Sequence, residues 1–316
     1  MPTYEKRSGS WRVSVMREGT RHRATFTTKA EAEFWAEGLV RGSSGKVTLS
    51  DALKRYSAEV STTKRGARWE QIRIEAFLRI VPFVDKPIER VSSGDLADWR
   101  DTRLKQVSAG TVGRELSVLS AVFQWAKIER KWIASNPVHD IAWPAKPKPR
   151  KRRVSPDDTK AILKALGYKS GPPQHIHHEI AIAFLLALET AMRCGELLSL
   201  SPEQVFLKRR FVHLDKTKNG DERDVPLSKE AVRLFKLIPK GFTIRGGSFD
   251  VLFRRARDRA GLPDLHFHDT RREAATRLSK KLDPMELAKM TGHRDLSLLM
   301  RVYYAPDASE AAKKLD

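Results

Sequence analysis

The sequence has few of the features that mark secreted, membrane-spanning or disordered proteins. It contains one cysteine, Cys194, so an internal disulfide is impossible and a reducing compartment is expected. The longest apolar run, Ile180 to Leu188, is much shorter than the ~20 residues that span a bilayer. The amino terminus has no apolar stretch typical of a signal peptide. We therefore predict a cytoplasmic protein that is neither exported nor inserted in a membrane.

Glycine, proline and acidic residues are also scarce. With 18 glycines and 16 prolines in 316 residues, collagen-like and low-complexity chains are excluded, and a hydrophobic content of 40% is that of a globular protein. Only 39 acidic residues oppose 60 basic ones, which leaves a net charge of +21. This excess points to a polyanionic partner, either nucleic acid, as for a ribosomal-type protein, or an anionic membrane surface. The length predicts two domains with room for a small third.

The amino-terminal segment, residues 1–45, has the pattern of a small sheet backed by a helix. Residues Trp11 to Thr27 alternate around Glu18-Gly19, which predicts a hairpin, and a helix is expected from Lys29 to about Val40. Basic residues outnumber acidic ones here. We predict that the sheet binds DNA through three arginines, although a solvated sheet face is the alternative; they are Arg12, Arg21 and Arg23.

Residues 46–145 are predicted to form an all-helical domain. A flexible linker, Gly42 to Gly45, precedes them. Ser50 is a candidate cap for a first helix through Val60, and a second has apolar positions at helical spacing between Trp69 and Ile80. Two more are expected over Ser93–Gln106 and Ala109–Glu129. The pattern indicates a compact four-helix bundle.

A strongly basic segment, KPKPRKRR at residues 146–153, follows the bundle. Six of its eight residues are basic and the other two are proline, so helix formation is blocked and an extended linker is predicted. We interpret it as a contact to DNA phosphates, with a solvated hinge or a localisation-like patch as the alternative. The predicted contact residues are Arg150, Lys151, Arg152 and Arg153.

Residues 154–316 have the pattern of a mixed α+β domain, so the whole chain is predicted to be multidomain and mainly helical. One long helix is expected over Ile180–Leu200, and Asn219-Gly220 is a strong hairpin signal between two short strands. Four further helices are predicted over 229–238, 248–260, 268–281 and 283–291.

Three places in this last domain concentrate unusual polar residues beside apolar runs. They are Arg193 with Glu196, His268 with Arg271, and His293 followed ten residues later by Tyr303 and its neighbour Tyr304. Each alone has an ordinary structural explanation, namely a local ion pair, a capping histidine or packed tyrosines. Their occurrence in this order, with Lys218 at a hairpin tip, favours a common site.

Together these elements resemble the tyrosine recombinases, and among them the phage-type integrases, over residues 48–310. The matching motifs are Arg193 in ETAMRCGELLSL, Lys218 in TKNGDERDVPL, His268 and Arg271 in HFHDTRREAAT, His293 in TGHRDL, and a tyrosine in RVYYAP. The helical region resembles the core-binding domain of that family, and the amino-terminal sheet resembles an arm-type DNA-binding domain. In the family a histidine often follows the second arginine, where this chain has Arg272.

The resemblance implies a site-specific DNA recombinase that forms a covalent 3′-phosphotyrosine intermediate without metal or other cofactor. Arg193 and Arg271 would clamp the phosphate, His268 would act as base, and Lys218 would protonate the departing 5′-oxygen. His293 would hydrogen-bond the phosphate, and Glu196 would orient Arg193 or neighbouring groups. Family spacing places the nucleophile nine or ten residues after His293. Since position nine is Val302, Tyr303 is predicted and Tyr304 is the alternative.

The resemblance also implies partners and an origin. We expect double-stranded attachment or recombination sites, a homotetramer on DNA, accessory bending or excision factors, and action at the nucleoid of a cell that carries a prophage or mobile element. Two other functions stay open at this point. One is a non-catalytic DNA-binding regulator with this fold, and the other is an enzyme like the type IB topoisomerases.

Overall fold

The computed structural model describes residues 2–7, 9–17, 20–40, 47–145, 150–215, 222–304 and 312. The chain divides into two compact units, Met1–Pro149 and Arg150–Asp316. The division falls inside the predicted linker, residues 146–153. The fold is mainly helical with small antiparallel sheets, as predicted. In the described ranges, no helix has the length and apolar character needed to cross a membrane.

The first unit begins with a three-stranded antiparallel sheet that packs on one helix. Its strands are β1 (Thr3–Arg7), β2 (Ser10–Arg17) and β3 (Thr20–Phe26), in the order β1-β2-β3, and the helix is α1 (Lys29–Val40). Val13 and Val15 of β2 are buried with Ala32 and Ala36 of α1. The hairpin prediction is confirmed, but its tip, Glu18-Gly19, lies outside the described residues.

Strand β1 was not predicted, because its short charged sequence has no clear alternation. It pairs with β2 so that Tyr4 lies opposite Val13. The three predicted DNA-binding arginines, Arg12, Arg21 and Arg23, are exposed. Side chains alternate along a strand, and the register pairs Ser14 with Arg23, so all three lie on the sheet face opposite α1.

Four helices form the rest of the first unit, as the apolar spacing predicts. They are α2 (Leu49–Glu59), α3 (Ala67–Ile80), α4 (Ser93–Leu104) and α5 (Ala109–Ile128). Leu53, Phe77, Trp99 and Phe123 contribute to their shared core. The predicted cap at Ser50 is wrong. Thr48 caps α2 instead, because Asp51 three residues later completes a reciprocal capping box.

A buried carboxylate ties three of these helices together. Glu115 of α5 has no exposed surface, and it accepts hydrogen bonds from Arg73 of α3 at 2.8 Å and from Arg103 of α4 at 3.0 Å. Both arginines keep some exposure to water. A buried charge is tolerated only when it is paired, so this triad fixes how α3, α4 and α5 pack.

The second unit surrounds the buried helix α7. Its elements are α6 (Pro156–Ala165), α7 (Ile176–Thr190), α8 (Cys194–Leu198), β4 (Val205–Phe206), β5 (Phe211–Leu214), β6 (Arg223–Pro226), α9 (Lys229–Lys236), α10 (Gly246–Arg259), α11 (His268–Leu278), α12 (Pro284–Thr291) and α13 (Leu296–Tyr303). The sheet order is β4-β5-β6. Ile180 and Phe184 of α7 are fully buried in a core shared with α9 and α10.

The prediction of one helix over Ile180–Leu200 is wrong. Helix α7 ends at Thr190, Ala191 has the left-handed conformation at φ = +54°, and α8 begins at Cys194. The apolar pattern continues across this break, so periodicity could not reveal it. Helix α13, which ends at Tyr303, was also not predicted. The strands around the predicted hairpin are present, while its tip with Lys218 lies outside the described residues.

We expect Glu115→Ala to lower the free energy of unfolding of the first unit by about 3 kcal/mol, since it leaves two arginines unpaired. This loss of stability lies at the low end of the range for broken buried ion pairs, because both arginines are partly exposed to water. Tryptophan fluorescence in a urea titration measures this unit alone, since the last of the seven tryptophans is Trp143. Asp98→Ala, at an exposed position of α4, is the matched control, with a change within about 0.5 kcal/mol. Equal effects of the two variants would contradict the role of Glu115.

Candidate active site

The predicted site residues come from separate elements of the second unit. Arg193 immediately precedes α8, His268 and Arg271 lie in the first turn of α11, His293 lies between α12 and α13, and Tyr303 ends α13. The structure brings Arg193, Arg271, His293 and Tyr303 into one cluster, in which each lies near enough to another to interact. His268 is exposed at the start of α11, and it lies close enough to His293 for its charge to lower the pKa of His293.

Arg271 is the buried centre of this cluster, with 4% of its surface exposed. Its Nη1 donates to the carbonyl of Ala191 and its Nη2 to the carbonyl of Thr291, both at 2.6 Å. Burial, together with the charges of Arg193 and Arg223, lowers the pKa of Arg271 to about 10. The guanidinium therefore stays charged at neutral pH but would be stabilised by an anion.

Glu196 accepts hydrogen bonds from both the backbone and the side chain of Arg193. One carboxylate oxygen accepts from the backbone N–H of Arg193 at 2.9 Å, and the other accepts from Nη1 of Arg193 at 2.7 Å. Burial by itself raises the pKa of Glu196, but hydrogen bonds from Arg223 and Arg193 outweigh it and the pKa is lowered. The carboxylate is therefore ionised and acts as a fixed negative charge.

Arg223 of β6 is a site residue that the sequence analysis missed. Its Nη2 donates to Glu196 at 2.6 Å and its Nε donates to the carbonyl of Met290 at 3.0 Å. Its side chain is only 7% exposed. A signal was present, because period-two alternation puts Arg223 on the same strand face as buried Val225. Arg223 thus joins β6, α8 and the end of α12.

A buried hydroxyl orients His293. The hydroxyl of Thr291 lies 2.5 Å from the carbonyl of Leu287 and 2.6 Å from Nδ1 of His293. A carbonyl can only accept, so the single hydroxyl proton goes to Leu287 and Nδ1 must donate to Thr291. Burial and the charges of Arg271, Arg193, Arg223 and His268 lower the pKa of His293 to about 4. The ring is therefore neutral at neutral pH, with Nε2 as an acceptor.

The two adjacent tyrosines have different surroundings. The ring centroid of Tyr303 lies 6.0 Å from that of His293. The phenolate form of Tyr303 would raise the pKa of Arg271. The hydroxyl of Tyr304 donates to the carbonyl of Leu282 at 2.7 Å, and burial with Asp283 and Glu286 raises the pKa of Tyr304. Tyr303 is thus the tyrosine beside the positive cluster.

The described part of the basic segment contacts carboxylates of its own unit. Arg150 pairs with Asp269, Arg152 with Asp158 and Arg153 with Glu273, at 2.8 to 3.0 Å. Lys151 is exposed. In the described ranges, no group of three histidine, cysteine or acidic side chains could hold a metal ion.

We expect Gly292→Ala to be more destabilising than Gly167→Ala, although both glycines have φ = +69°. The backbone strain alone costs about 1–2 kcal/mol at either position. At Gly167 an added Cβ meets open space, whereas at Gly292 it lies 3.0 Å from Nη1 of Arg223. This crowding adds about 1–3 kcal/mol to the loss of stability at Gly292. Urea titration followed by circular dichroism measures both, because this unit has no tryptophan. Equal losses would show that Arg223 moves freely.

The chain is similar to a known protein family and to several of its members. The model of the phage integrase family matches residues 152–310. Two putative integrase/recombinases of Haemophilus influenzae are 38% identical over 99% of this chain and 90% of the relative, and 40% identical over 91% and 96%. The shufflon-specific DNA recombinase of Escherichia coli is 34% identical over 86% of this chain and 72% of the relative.

Solved structures share the fold. A lambda integrase dimer bound to a COC′ core site aligns with 95% of this chain and 94% of that chain, at a TM-score of 0.65 and 19% identity. The Tn1549 transposon integrase in complex with circular intermediate DNA aligns with 85% of this chain and 99% of that chain, at a TM-score of 0.66 and 17% identity. From these relatives and the family match, the chain belongs to the phage integrase family and is a site-specific tyrosine recombinase, an enzyme that transfers DNA strands.

Proposed function

We propose that Tyr303 is the nucleophile with which this recombinase cleaves one DNA strand and forms a 3′-phosphotyrosyl bond. The observation that carries this assignment is the contrast between the two tyrosines. The ring of Tyr303 faces His293 within the field of Arg271, whereas the hydroxyl of Tyr304 is occupied by the carbonyl of Leu282. A phenol needs a positive field or a base to attack at neutral pH, because its ordinary pKa is near 10.

The arginines supply charge that is already in place before the reaction. Glu196 holds Arg193, and two backbone carbonyls hold Arg271, so neither guanidinium must reorganise as negative charge develops on the phosphate oxygens. Both arginines can still present donors to those oxygens. We propose that they clamp the scissile phosphate from two elements, α11 and the start of α8.

Two other residues are assigned proton transfers, and a third is assigned a hydrogen bond to the phosphate. His268 is proposed as the base for Tyr303, and Lys218 as the acid for the departing 5′-oxygen. His293 is neutral before DNA binds, but a phosphate beside it would raise its pKa. It would then carry a proton on Nε2 and donate to the phosphate, while Thr291 keeps Nδ1 occupied.

The covalent bond also explains rejoining. The phosphotyrosyl ester retains the energy of the broken phosphodiester, so attack by a 5′-hydroxyl re-forms the strand and releases Tyr303 without a further energy source. One such exchange on each strand moves a DNA segment between two sites.

The partner is proposed to be duplex DNA at attachment or recombination sites. Lambda integrase has been seen as a tetramer bound to a Holliday junction, and we propose a homotetramer on two sites for this chain. The exposed arginine face of the amino-terminal sheet supports an arm-type domain over residues 1–45. Residues 46–145 and 154–316 would clamp the core site. Accessory bending or excision factors and association with the nucleoid stay predictions.

We expect Tyr303→Phe to abolish covalent capture of DNA and Tyr304→Phe to retain it, since only the first removes the attacking oxygen. The substrate is a pool of duplexes with a randomised central segment and a nick that lets the cleaved fragment diffuse away. Adducts that survive detergent are isolated, and sequencing of their DNA identifies the site. Peptide mass spectrometry locates the attached nucleotide.

The outcome separates the assignments. Binding to a mixed-sequence duplex should be nearly unchanged in both variants, because the phenylalanine ring still packs. Adducts that persist in Tyr303→Phe and vanish in Tyr304→Phe would place the nucleophile one residue later. Relaxation of supercoiled DNA without exchange between two sites would instead indicate topoisomerase chemistry.

We expect a 5′-bridging sulfur in the substrate to rescue Lys218→Ala but not Arg193→Lys or Arg271→Lys. A thiolate leaves without a proton, so the acid becomes dispensable, whereas a lysine cannot reproduce the guanidinium fork. The single-turnover cleavage rate is measured on oxygen and sulfur substrates of the site recovered above. Rescue of all three variants, or of none, would contradict the separate roles.

A further inference from the structure

The carboxyl-terminal half of the basic segment, residues 150–153, lies along one face of helix α11. Arg150 contacts both carboxylate oxygens of Asp269, at 3.3 and 3.0 Å, and Arg153 contacts both of Glu273, at 2.8 and 3.1 Å. Asp269 and Glu273 are one helical turn apart and only 3% and 9% exposed. Two consecutive turns of the helix are therefore held by two forked ion pairs.

Backbone contacts complete this arrangement, which we call the linker clamp: Arg150 and Arg153 with Asp269, Arg272 and Glu273. Arg272 donates to the carbonyl of Arg150. Asp269 also accepts the backbone N–H of His266 at 2.8 Å, which fixes the turn that leads into α11. Arg272, at the position where the family often has histidine, thus contacts the segment rather than the cluster.

The clamp lies next to the residues that the reaction requires. Helical spacing places Asp269, Arg272 and Glu273 on one face of α11 and His268 and Arg271 on the adjacent face. A rotation or shift of the first turn would move the proposed base and the phosphate clamp together. A misplacement of about 1 Å in such a site can cost about a hundredfold in rate.

We propose that Arg150 and Arg153 are positioning residues that set the first turn of α11, and with it His268 and Arg271, through Asp269 and Glu273. The proposal rests on the proposed function only for the roles of His268 and Arg271. If Arg150 and Arg153 are positioning residues, then of the basic segment they are not the side chains that contact DNA phosphates. Each of these guanidiniums, although 41% and 51% exposed, already neutralises a buried carboxylate, whereas Lys151 has no such partner in the described part of the chain.

The first test compares cleavage with binding. Arg150→Ala should lower the single-turnover cleavage rate at saturating DNA by about tenfold or more, while the slope of log affinity against log salt for a mixed-sequence 40-base-pair duplex stays that of the unmodified chain. Lys151→Ala should reduce that slope by about 0.9, the value for one lost phosphate contact. Lys160→Ala, which removes an exposed charge from α6, is the neutral control.

The opposite result would overturn the proposal. If Arg150 contacts phosphate, Arg150→Ala would reduce the slope by about 0.9 and leave the saturated rate unchanged. Arg150→Lys separates charge from geometry, since a lysine retains a phosphate contact but not the fork. We expect it to keep the salt slope and to lose part of the rate, and full activity in Arg150→Lys would also count against the clamp.

The reciprocal variant gives the sharpest contrast. Asp269→Asn keeps an oxygen for the N–H of His266 and removes the buried negative charge that pairs with Arg150, whose side chain then keeps only its contacts to Asp264 among the described residues. The clamp predicts that it lowers the saturated rate as much as Arg150→Ala does, and that the double variant is no worse than either single one. A phosphate contact predicts the reverse, because releasing Arg150 from Asp269 would tighten DNA binding.

Hydrogen exchange tests the clamp without any cleavage. Amides of residues 266–278 should exchange several-fold faster in Arg150→Ala and in Asp269→Asn than in the unmodified chain or Lys160→Ala, with circular dichroism showing all four folded. Unchanged exchange in both would overturn the proposal. If the unmodified chain formed no covalent adduct, the proposed function would fail while exchange still reported on the clamp.

Discussion

One buried carboxylate allows this site to hold several positive charges close together. Glu196 lies between Arg193 and Arg223 and is bonded to both, and Arg271 lies near enough for its pKa to be lowered by those two arginines. Without Glu196 the guanidiniums would repel one another in a medium of low dielectric constant. With it, the cluster is stable while still carrying net positive charge, which is the condition for attracting a phosphate.

Two helix ends also stabilise the positive charge of this cluster by accepting hydrogen bonds from Arg271. Helices α7 and α12 both stop at a left-handed residue, Ala191 and Gly292, and the carbonyls of Ala191 and Thr291 are thereby freed for Arg271. The carboxyl end of a helix carries partial negative charge, so it suits a buried cation. The breaks in the helices are thus what positions the central arginine, and Gly292 also leaves the room that Arg223 needs.

The same kind of interaction recurs away from the cluster. Glu115 joins three helices of the first unit through two arginines, and Asp269 and Glu273 hold the basic segment through Arg150 and Arg153. In a chain with 60 basic residues, the few buried acids decide which arginines are structural and which stay available to DNA. Net charge therefore overstates the number of side chains that can contact phosphate.

The sequence by itself determined the family, the mainly helical fold, the amino-terminal hairpin and the helices of the bundle. Those features follow from local periodicity, cap residues and the order of short motifs, all of which can be counted along the chain. Tertiary structure alone decided where the long apolar stretch breaks, that Arg223 belongs to the cluster, and that Arg150 and Arg153 pair with α11. Each depends on atoms far apart in sequence, Arg223 with Glu196 and Arg150 with Asp269. Strand alternation can indicate that a charge is buried, as for Arg223, but the identity of its partner has no local signature, because it is set by which elements pack together.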